Sequence, residues 1–245
     1  MEGLIIVNKP KDWTSFDVVA KLRRLTSIKK IGHSGTLDPM ATGVLPVFIG
    51  RQATRYIEHF MSGDKGYIAE ITLGIRTDTG DATGKPQTSD VRLLDVSQVS
   101  IHNIEKVLKK YLGEIEQVPP MYSAVKVNGQ RLYKLARQGK TVERKPRKVK
   151  IHKIDILNFE NTEEVKLTIE VSCSKGTYIR QLAMDIGDDL GCGGHLSKLM
   201  RTYAHPFHVT QSINMDTIIT LAGLGRLSDI IIPVEGFLKG LTPAA

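Results

Sequence analysis

A single carboxylate, Asp38, stands in a stretch rich in glycine, proline and hydroxyl residues that runs from Gly32 to Pro46. An imidazole, His33, precedes it by five positions, and no Lys or Arg lies within four residues of it. Because Gly and Pro free or fix the backbone, we predict a shaped turn that leads into a buried strand over residues 44–49. An ionised aspartate in such a loop can act as a nucleophile or a base, or it can simply stabilise the turn.

Further side chains with possible chemical roles, Tyr67, Tyr178 and Arg180, lie near the ends of predicted elements. An arginine paired with a carboxylate keeps that carboxylate ionised and orients it. An aromatic ring can stack on a nucleobase, with a contribution of about 1–3 kcal/mol, or it can pack in the core with a satisfied hydroxyl. His33, taken alone, is more typical of a structural histidine than of a catalytic one.

The residue pattern limits the reaction class. The two cysteines, Cys173 and Cys192, do not have the spacing of metal ligands. The polar turn over residues 76–84 fails as a calcium loop because the spacing of its aspartates is wrong. Glycoside hydrolysis by two carboxylates needs a second acid, and no comparable loop offers an obvious one. Glycosidic chemistry on a nucleoside stays open.

The elements that must position these residues mix strands and helices without a regular βαβ alternation. Strands are predicted over residues 4–7, 44–49, 67–75, 121–127, 149–159 and 165–173. Helices are predicted after a capping box at residues 14–17, near 53–60, over 101–111 and 131–138, and from 179. We therefore predict an α+β fold with a mixed, mainly antiparallel sheet flanked by helices. The 245 residues are expected to form a single domain over 1–245.

Positive charge is concentrated in one part of the chain. The formal net charge is +8, and residues 126–153 hold eleven Lys and Arg against one acid, Glu143. Such a stretch indicates a polyanionic partner or, alternatively, a solvated basic face. The apolar runs are too short to span a membrane, no secretory signal is visible, and the low cysteine content is typical of a reducing compartment such as the cytoplasm.

Six motifs together resemble the TruB family of pseudouridine synthases. The Gly32–Gly43 stretch is similar to the family's catalytic motif, and the similarity extends over about residues 3–210 in the family's order. The other motifs are Asn8-Lys9-Pro10, Lys65-Gly66-Tyr67, residues 117–126, residues 174–180 and residues 195–199.

The resemblance implies isomerisation of uridine 55 in the T loop of tRNA to pseudouridine, without metal or cofactor. The N1–C1′ glycosidic bond breaks, the uracil rotates, and a C5–C1′ bond forms. By position, Asp38 is the nucleophile, and its attack at uracil C6 or at ribose C1′ stays open. Tyr67 would stack on the flipped base and is a candidate for proton transfer at the sugar, and Arg180 would pair with Asp38.

The remaining site residues also follow from the resemblance. Tyr178 and Leu199 would form walls of the base pocket, His33 would fill the T-loop stack that the uridine leaves, and Lys9 with the following proline would support the floor. A target base inside a folded loop must be extruded before chemistry. Loop RNA is read through unstacked bases and backbone shape, and the basic stretch of about residues 117–153 is the expected RNA-binding part.

The sequence departs from the family in three respects. Met200 stands where members often have Arg, and Gly194 where they often have Ala. The chain leaves little room for the C-terminal PUA-like domain of bacterial members, so this domain is expected to be absent and tRNA affinity weaker. We expect a cytoplasmic monomer whose partner is the T stem-loop of tRNA, with no membrane association and no metal. The alternatives are a tRNA-binding folding chaperone of the same fold and a nucleoside glycosidase.

Overall fold

The computed structural model describes residues 2–87, 96–123, 125–127 and 129–238. The strands are β1 (Gly3–Lys9), β2 (Ile31–His33), β3 (Thr42–Ile49), β4 (Lys65–Leu73), β5 (Gly113–Gln117), β6 (Lys126–Val127), β7 (Gln130–Arg131), β8 (Arg147–Asn161), β9 (Val165–Cys173), β10 (Gly194–Ala204), β11 (Phe207–His208) and β12 (Ile213–Asn214). The helices are α1 (Ser15–Thr26), α2 (Arg51–Thr54), α3 (Ile57–Met61), α4 (Ile101–Lys109), α5 (Leu132–Ala136), α6 (Ile179–Asp189), α7 (Met215–Gly223) and α8 (Val234–Leu238).

The chain divides into two units. Unit 1 comprises Met1–Tyr67 and Met200–Ala245, and unit 2 comprises Ile68–Leu199. Each unit combines strands with helices, and parallel and antiparallel pairs both occur. The predicted α+β class with a mixed sheet is therefore confirmed, and the single-domain organisation over 1–245 stays a prediction.

Strand β1 is central to unit 1. It pairs antiparallel with β3 from Gly3↔Ile49 to Lys9↔Gly43, and parallel with β12 on its other side. Strand β3 also pairs antiparallel with β2 and, at its first two residues, parallel with β10. The chain between β2 and β3 carries Asp38, so these two strands hold the ends of that loop in register.

Aromatic side chains fill the core of unit 1. Phe48 lies 5.3 Å from Phe60 between ring centroids, Phe60 stacks on Phe207 at 5.4 Å, and Phe237 meets Phe48 edge-on at 5.8 Å. All four rings are at most 6% exposed. Rings of this size contribute a large share of the burial energy of a core, and Phe48 belongs to β3, so the packing anchors the strand that follows the Asp38 loop.

Helix α1 begins at the predicted capping box. The Thr14 hydroxyl oxygen accepts from the Asp17 amide at 3.0 Å, and the Asp17 carboxylate accepts from the Thr14 amide at 2.8 Å. These bonds satisfy two of the amides that a helix start otherwise leaves unpaired. The first helical residue, Ser15, is buried and accepts from the Leu37 amide at 2.9 Å, which ties the helix start to the Asp38 loop.

Unit 2 has its strands in the order β10-β4-β9-β8-β5. The predicted alternation of β9 is confirmed, because every second residue from Val165 to Cys173 is buried. Strand β8 pairs antiparallel with both β9 and β5. Helix α6 buries the face that was predicted from its sequence, which consists of Ile179, Leu182, Ala183, Ile186 and Leu190.

Several predicted boundaries were wrong. Strand β4 runs over Lys65–Leu73 rather than 67–75, because Gly74 has a φ of +88° and Ile75 is 42% exposed. Among the described residues of the strand predicted over 121–127, only Lys126–Val127 form a strand. The helix predicted near 53–60 is two short helices, and the one over 131–138 is only Leu132–Ala136. The tight turn predicted at residues 128–129 includes Asn128, which lies outside the described residues.

Candidate active site

The Asp38 loop is fastened at both ends and in the middle. His33 ends β2 and pairs with Val47, so this residue lies in a strand and not in the predicted loop. The neighbours Leu37 and Met40 are 4% and 7% exposed. Asp38 is partly exposed and its carbonyl oxygen accepts from the Ala41 amide at 3.0 Å. The buried neighbours hold the backbone, and Asp38 itself stays partly exposed.

A buried ammonium group lies beside Asp38. Lys9 is fully buried, and its Nζ donates to three carbonyl oxygens, of Trp13 at 2.5 Å, Pro10 at 2.8 Å and Pro39 at 3.2 Å. Burial lowers the pKa of Lys9 from 10.5 to about 8, and the charges of Asp12 and Asp38 oppose this shift. The sequence offers no cation within four residues of Asp38, but the fold supplies one from β1.

A second buried cation of unit 1, the guanidinium of Arg201, binds the backbone before and after Asp38 in the sequence. Arg201 is 1% exposed and donates from Nε to the Val44 carbonyl at 2.7 Å and from Nη2 to the Gly35 carbonyl at 3.2 Å. Tyr67, which is 9% exposed, lies close enough to act electrostatically on this guanidinium. Burial lowers the pKa of Arg201 and Tyr67 opposes that shift. Tyr67 thus lies near the cation that binds the strand and loop around Asp38.

His33 stays close to neutral in this setting. Its ring is partly buried, and burial lowers the pKa of the imidazole below 6.5, with a further lowering by the positive charge of Arg201. A neutral ring is a good stacking surface and a poor acid at neutral pH. This fits the stacking role that the resemblance implies for His33, which stays a prediction.

The second group of predicted residues belongs to unit 2 and centres on Arg180. Arg180 is 5% exposed at the start of α6, and it donates to the Tyr122 carbonyl at 2.7 Å and the Thr79 carbonyl at 3.3 Å. An ion pair joins its Nη1 to Asp81 Oδ2 at 3.4 Å. Asp38 belongs to unit 1 and Arg180 to unit 2, and their pairing stays a prediction.

Asp81 is a functional candidate that the sequence reasoning missed. It is 4% exposed and accepts from the Thr79 hydroxyl at 2.8 Å, the Thr83 hydroxyl at 2.6 Å and the Thr83 amide at 3.0 Å. The signal in the sequence is the threonine two positions before and two positions after Asp81, since such hydroxyls commonly cap a turn carboxylate.

Tyr178 and Leu199 also lie in unit 2. Tyr178 precedes α6, and the side chain of Gln117 holds its backbone from both sides, accepting from the amide at 2.8 Å and donating to the carbonyl at 3.0 Å. Gln117 is 2% exposed, so this clamp is rigid. Leu199 is 8% exposed in β10. The shared pocket wall stays a prediction for both residues.

The basic stretch presents its charge on a small hairpin and helix of unit 2. A cleft of 410 Å³ is lined by Lys126, Gly129, Gln130, Arg131, Lys134 and Gln138. Nearby, the guanidinium of Arg137 lies 5.6 Å from the centre of the Tyr133 ring. Cationic groups interleaved with an aromatic ring suit the phosphates and bases of RNA. Within the described ranges no three His, Cys, Asp or Glu side chains come together as a metal site, and no helix is long and apolar enough to cross a membrane.

Comparison with protein families gives two adjacent matches. A model described as TruB family pseudouridylate synthase (N terminal domain) matches residues 23–179. A model described as tRNA pseudouridylate synthase B C-terminal domain matches residues 180–239. Curated relatives named tRNA pseudouridine synthase B from Francisella philomiragia and Francisella tularensis are each 47% identical over 230 residues, which is 94% of this chain and 74% of theirs.

Solved structures give the same fold. A solved chain from a Cbf5-Nop10-Gar1 complex superposes on this protein with a TM-score of 0.70 and 31% sequence identity. The match covers 93% of this chain and 56% of the solved chain. A chain from an H/ACA RNP bound to a substrate RNA containing 2′-deoxyuridine gives a TM-score of 0.69 and 28% identity, with 96% and 60% coverage. The protein thus spans just over half the length of these structural relatives.

Proposed function

The chain belongs to the TruB family of pseudouridylate synthases, and from that membership we propose that it converts uridine 55 in the T loop of tRNA to pseudouridine. The observation that carries the proposal is the setting of Asp38, a partly exposed aspartate on a loop fastened at both ends with the buried Lys9 ammonium beside it. A fixed carboxylate beside a fixed positive charge is suited to nucleophilic attack, because little reorganisation is needed at the moment of reaction.

The reaction rearranges one nucleotide without net loss or gain of atoms. The N1–C1′ bond breaks, the uracil turns, and C5 bonds to C1′. The proton lost from C5 is balanced by one gained at N1. Asp38 attacks either uracil C6 or ribose C1′ and is restored when the new glycosidic bond is complete. Arg180 pairs with Asp38, and Tyr67 stacks on the base and serves in proton transfer at the sugar.

Substrate binding requires the target base to leave its stack, at a cost of a few kcal/mol. His33 takes the vacated place in the T loop, and Tyr178 with Leu199 encloses the extruded base. The cleft and exposed cations of residues 126–138 contact the tRNA backbone. Each stacking ring contributes about 1–3 kcal/mol, which is enough to offset the extrusion. We also propose that the protein acts as a monomer in the cytoplasm, where unmodified tRNA is available.

The substitution Asp38→Asn tests the proposal. Carboxamide and carboxylate have nearly the same size, so tRNA binding persists, and we expect the rate of pseudouridine formation to fall at least about 10³-fold, equivalent to about 4 kcal/mol in the barrier. The matched control is Asp229→Asn, which removes an exposed carboxylate paired with Arg226 in the same unit. Unmodified tRNA transcripts are incubated with each variant, and pseudouridines are mapped by carbodiimide treatment and primer extension.

The same assay separates the alternatives. A tRNA that carries cytidine at position 55 should gain no pseudouridine, and modification elsewhere in that tRNA would refute the site assignment. Isomerisation by Asp38→Asn at the wild-type rate would refute the role of Asp38. Release of free uracil would indicate a nucleoside glycosidase. The exposed cations around residues 126–138 also favour a tRNA-binding folding chaperone as the second candidate, which predicts accelerated tRNA refolding by a wild-type protein that forms no pseudouridine.

A further inference from the structure

The start of helix α6 is held from outside the helix by the side chain of Gln117. Gln117 is the last residue of β5, pairs with Arg147 of β8, and is 2% exposed. Its Oε1 accepts from the Tyr178 amide at 2.8 Å, and its Nε2 donates to the Tyr178 carbonyl at 3.0 Å. One buried carboxamide therefore binds both backbone polar groups of a single residue.

The orientation of this carboxamide follows from chemistry. A carboxamide has a donor side and an acceptor side, and the backbone of Tyr178 presents one amide and one carbonyl to it. The reversed orientation would place two donors together and two acceptors together. With 2% of Gln117 exposed, water is not available to replace either bond. The two bonds therefore form in one arrangement only.

Tyr178 depends on such external support because its own side chain does not stabilise the helix start. Tyr178 is the N-cap of α6 and makes no side-chain capping hydrogen bond, whereas the short polar residues preferred at this position do. Its backbone is extended, with a φ of −99° and a ψ of 106°, and its carbonyl also accepts from the Leu182 amide at 3.0 Å. Tyr178 itself is partly exposed. A partly exposed tyrosine thus extends from a backbone that the buried Gln117 holds in place.

We infer that Gln117 is a positioning residue that fixes the ring of Tyr178 against the extruded base. The inference rests on the proposed function, in which Tyr178 forms a wall of the base pocket. A displacement of about 1 Å in a group that orients a substrate can lower the rate about 100-fold. Most of the affinity for RNA comes from contacts with its phosphates, which this displacement leaves unchanged. Gln117 does not touch the substrate in this role.

The variant Gln117→Glu tests the inference through the pH dependence of single-turnover rates at saturating enzyme. A neutral carboxylic acid keeps one donor and one acceptor, whereas a carboxylate cannot donate to the Tyr178 carbonyl. Burial raises the pKa of a carboxyl group, so the neutral form persists to higher pH than in water. Relative to the wild type, we expect a rate within about twofold at about pH 5.5 and a rate at least about tenfold lower at about pH 8.5. A ratio to the wild type that does not change with pH would overturn the inference.

A second variant, Gln117→Met, removes both bonds with little change in volume. We expect its rate to be at least about tenfold below that of the wild type at both pH values, while tRNA affinity changes by less than about twofold. Gln98→Glu is the matched control at an exposed glutamine of the same unit, and its rate should follow the wild type throughout. Loss of tRNA affinity in Gln117→Met without loss of rate would overturn the inference.

The Tyr178→Leu background separates positioning of the ring from a general structural effect. With no ring to hold, adding Gln117→Met should change the rate by less than about twofold, and losses that multiply in the double variant would overturn the inference. If Gln117→Met does not fold, Gln117→Glu takes its place, because its protonated form keeps both bonds and its pH-dependent loss should vanish in Tyr178→Leu. A wild-type protein that forms no pseudouridine would refute the proposed function itself, independently of these variants.

Discussion

Replacing Gly43 by alanine should disrupt the strand contact that carries the Asp38 loop. Gly43 has a φ of +99°, and an added Cβ would lie 2.2 Å from the Arg201 carbonyl oxygen and 2.9 Å from its amide nitrogen. Both neighbours are backbone atoms in a paired strand, so they cannot rotate away as a flexible side chain would. The parallel pairing of β3 with β10 at this position must open.

Two separate costs contribute to the expected loss. An L-residue at positive φ costs about 1–2 kcal/mol, and overpacking a filled site adds about 1–3 kcal/mol. We therefore expect Gly43→Ala to lower the free energy of unfolding by about 2–5 kcal/mol. Gly113 is a control that carries only the cost of positive φ, because its φ is +92° and nothing lies within 4 Å of its added Cβ. Gly113→Ala should lose only about 1–2 kcal/mol.

The assay is urea denaturation followed by circular dichroism and by Trp13 fluorescence, which reports on unit 1. Gly225→Ala is a second control in unit 1, with a φ of +69° and open space at its Cβ. Gly43→Ala should also form less pseudouridine under conditions where it is folded, since Arg201 and the loop move apart. Equal losses of stability for Gly43→Ala and the two controls would refute the clash at Arg201.

Two further predictions concern buried charges. Asp81→Asn removes the carboxylate that pairs with Arg180 at 3.4 Å, and we expect it to lower the free energy of unfolding in urea by about 3–5 kcal/mol. The control Asp189→Asn, at an exposed pair with Lys110, should lower it by less than about 1 kcal/mol. Similar losses for both variants would contradict the importance of the buried pair. Because burial lowers the pKa of Lys9 from 10.5 to about 8, the folded protein binds fewer protons than the unfolded chain between these pH values. Its stability relative to Lys9→Met should therefore rise through that window by up to about 1.4 kcal/mol per pH unit, and a flat difference curve would contradict this.

Local features of the fold could be predicted because a few neighbouring residues determine them. The capping box from Thr14 to Asp17 closes within four residues, and β9 alternates because one face of the strand is buried. The loop around Asp38 was predictable for the same reason, since its glycines and prolines restrict their own backbone. Each of these signals is contained in the segment that adopts the structure.

The contacts that the sequence did not reveal join distant parts of the chain. Lys9 lies 29 positions before Asp38 and reaches it only because β1 pairs with β3. Asp81 resembled an ordinary turn aspartate, and only its burial against Arg180 distinguishes it. Arg201 looked like one of many basic residues in a basic chain, and its burial depends on the pairing of β10 with β3. No local pattern encodes such pairings.

Lys9 and Arg201 together explain how unit 1 can hold positive charge beside the partly exposed Asp38. Their donors bind carbonyl oxygens of residues 35, 39 and 44, so the two cations fasten the backbone on both sides of Asp38. Backbone dipoles offset the cost of burying these charges without cancelling them. A glutamine at position 9 keeps two N–H donors for the three carbonyl oxygens that Lys9 Nζ binds, and it removes the charge that acts on Asp38. Lys9→Gln should therefore impair the reaction more than it impairs folding, a difference that a loop held only for its shape would not produce.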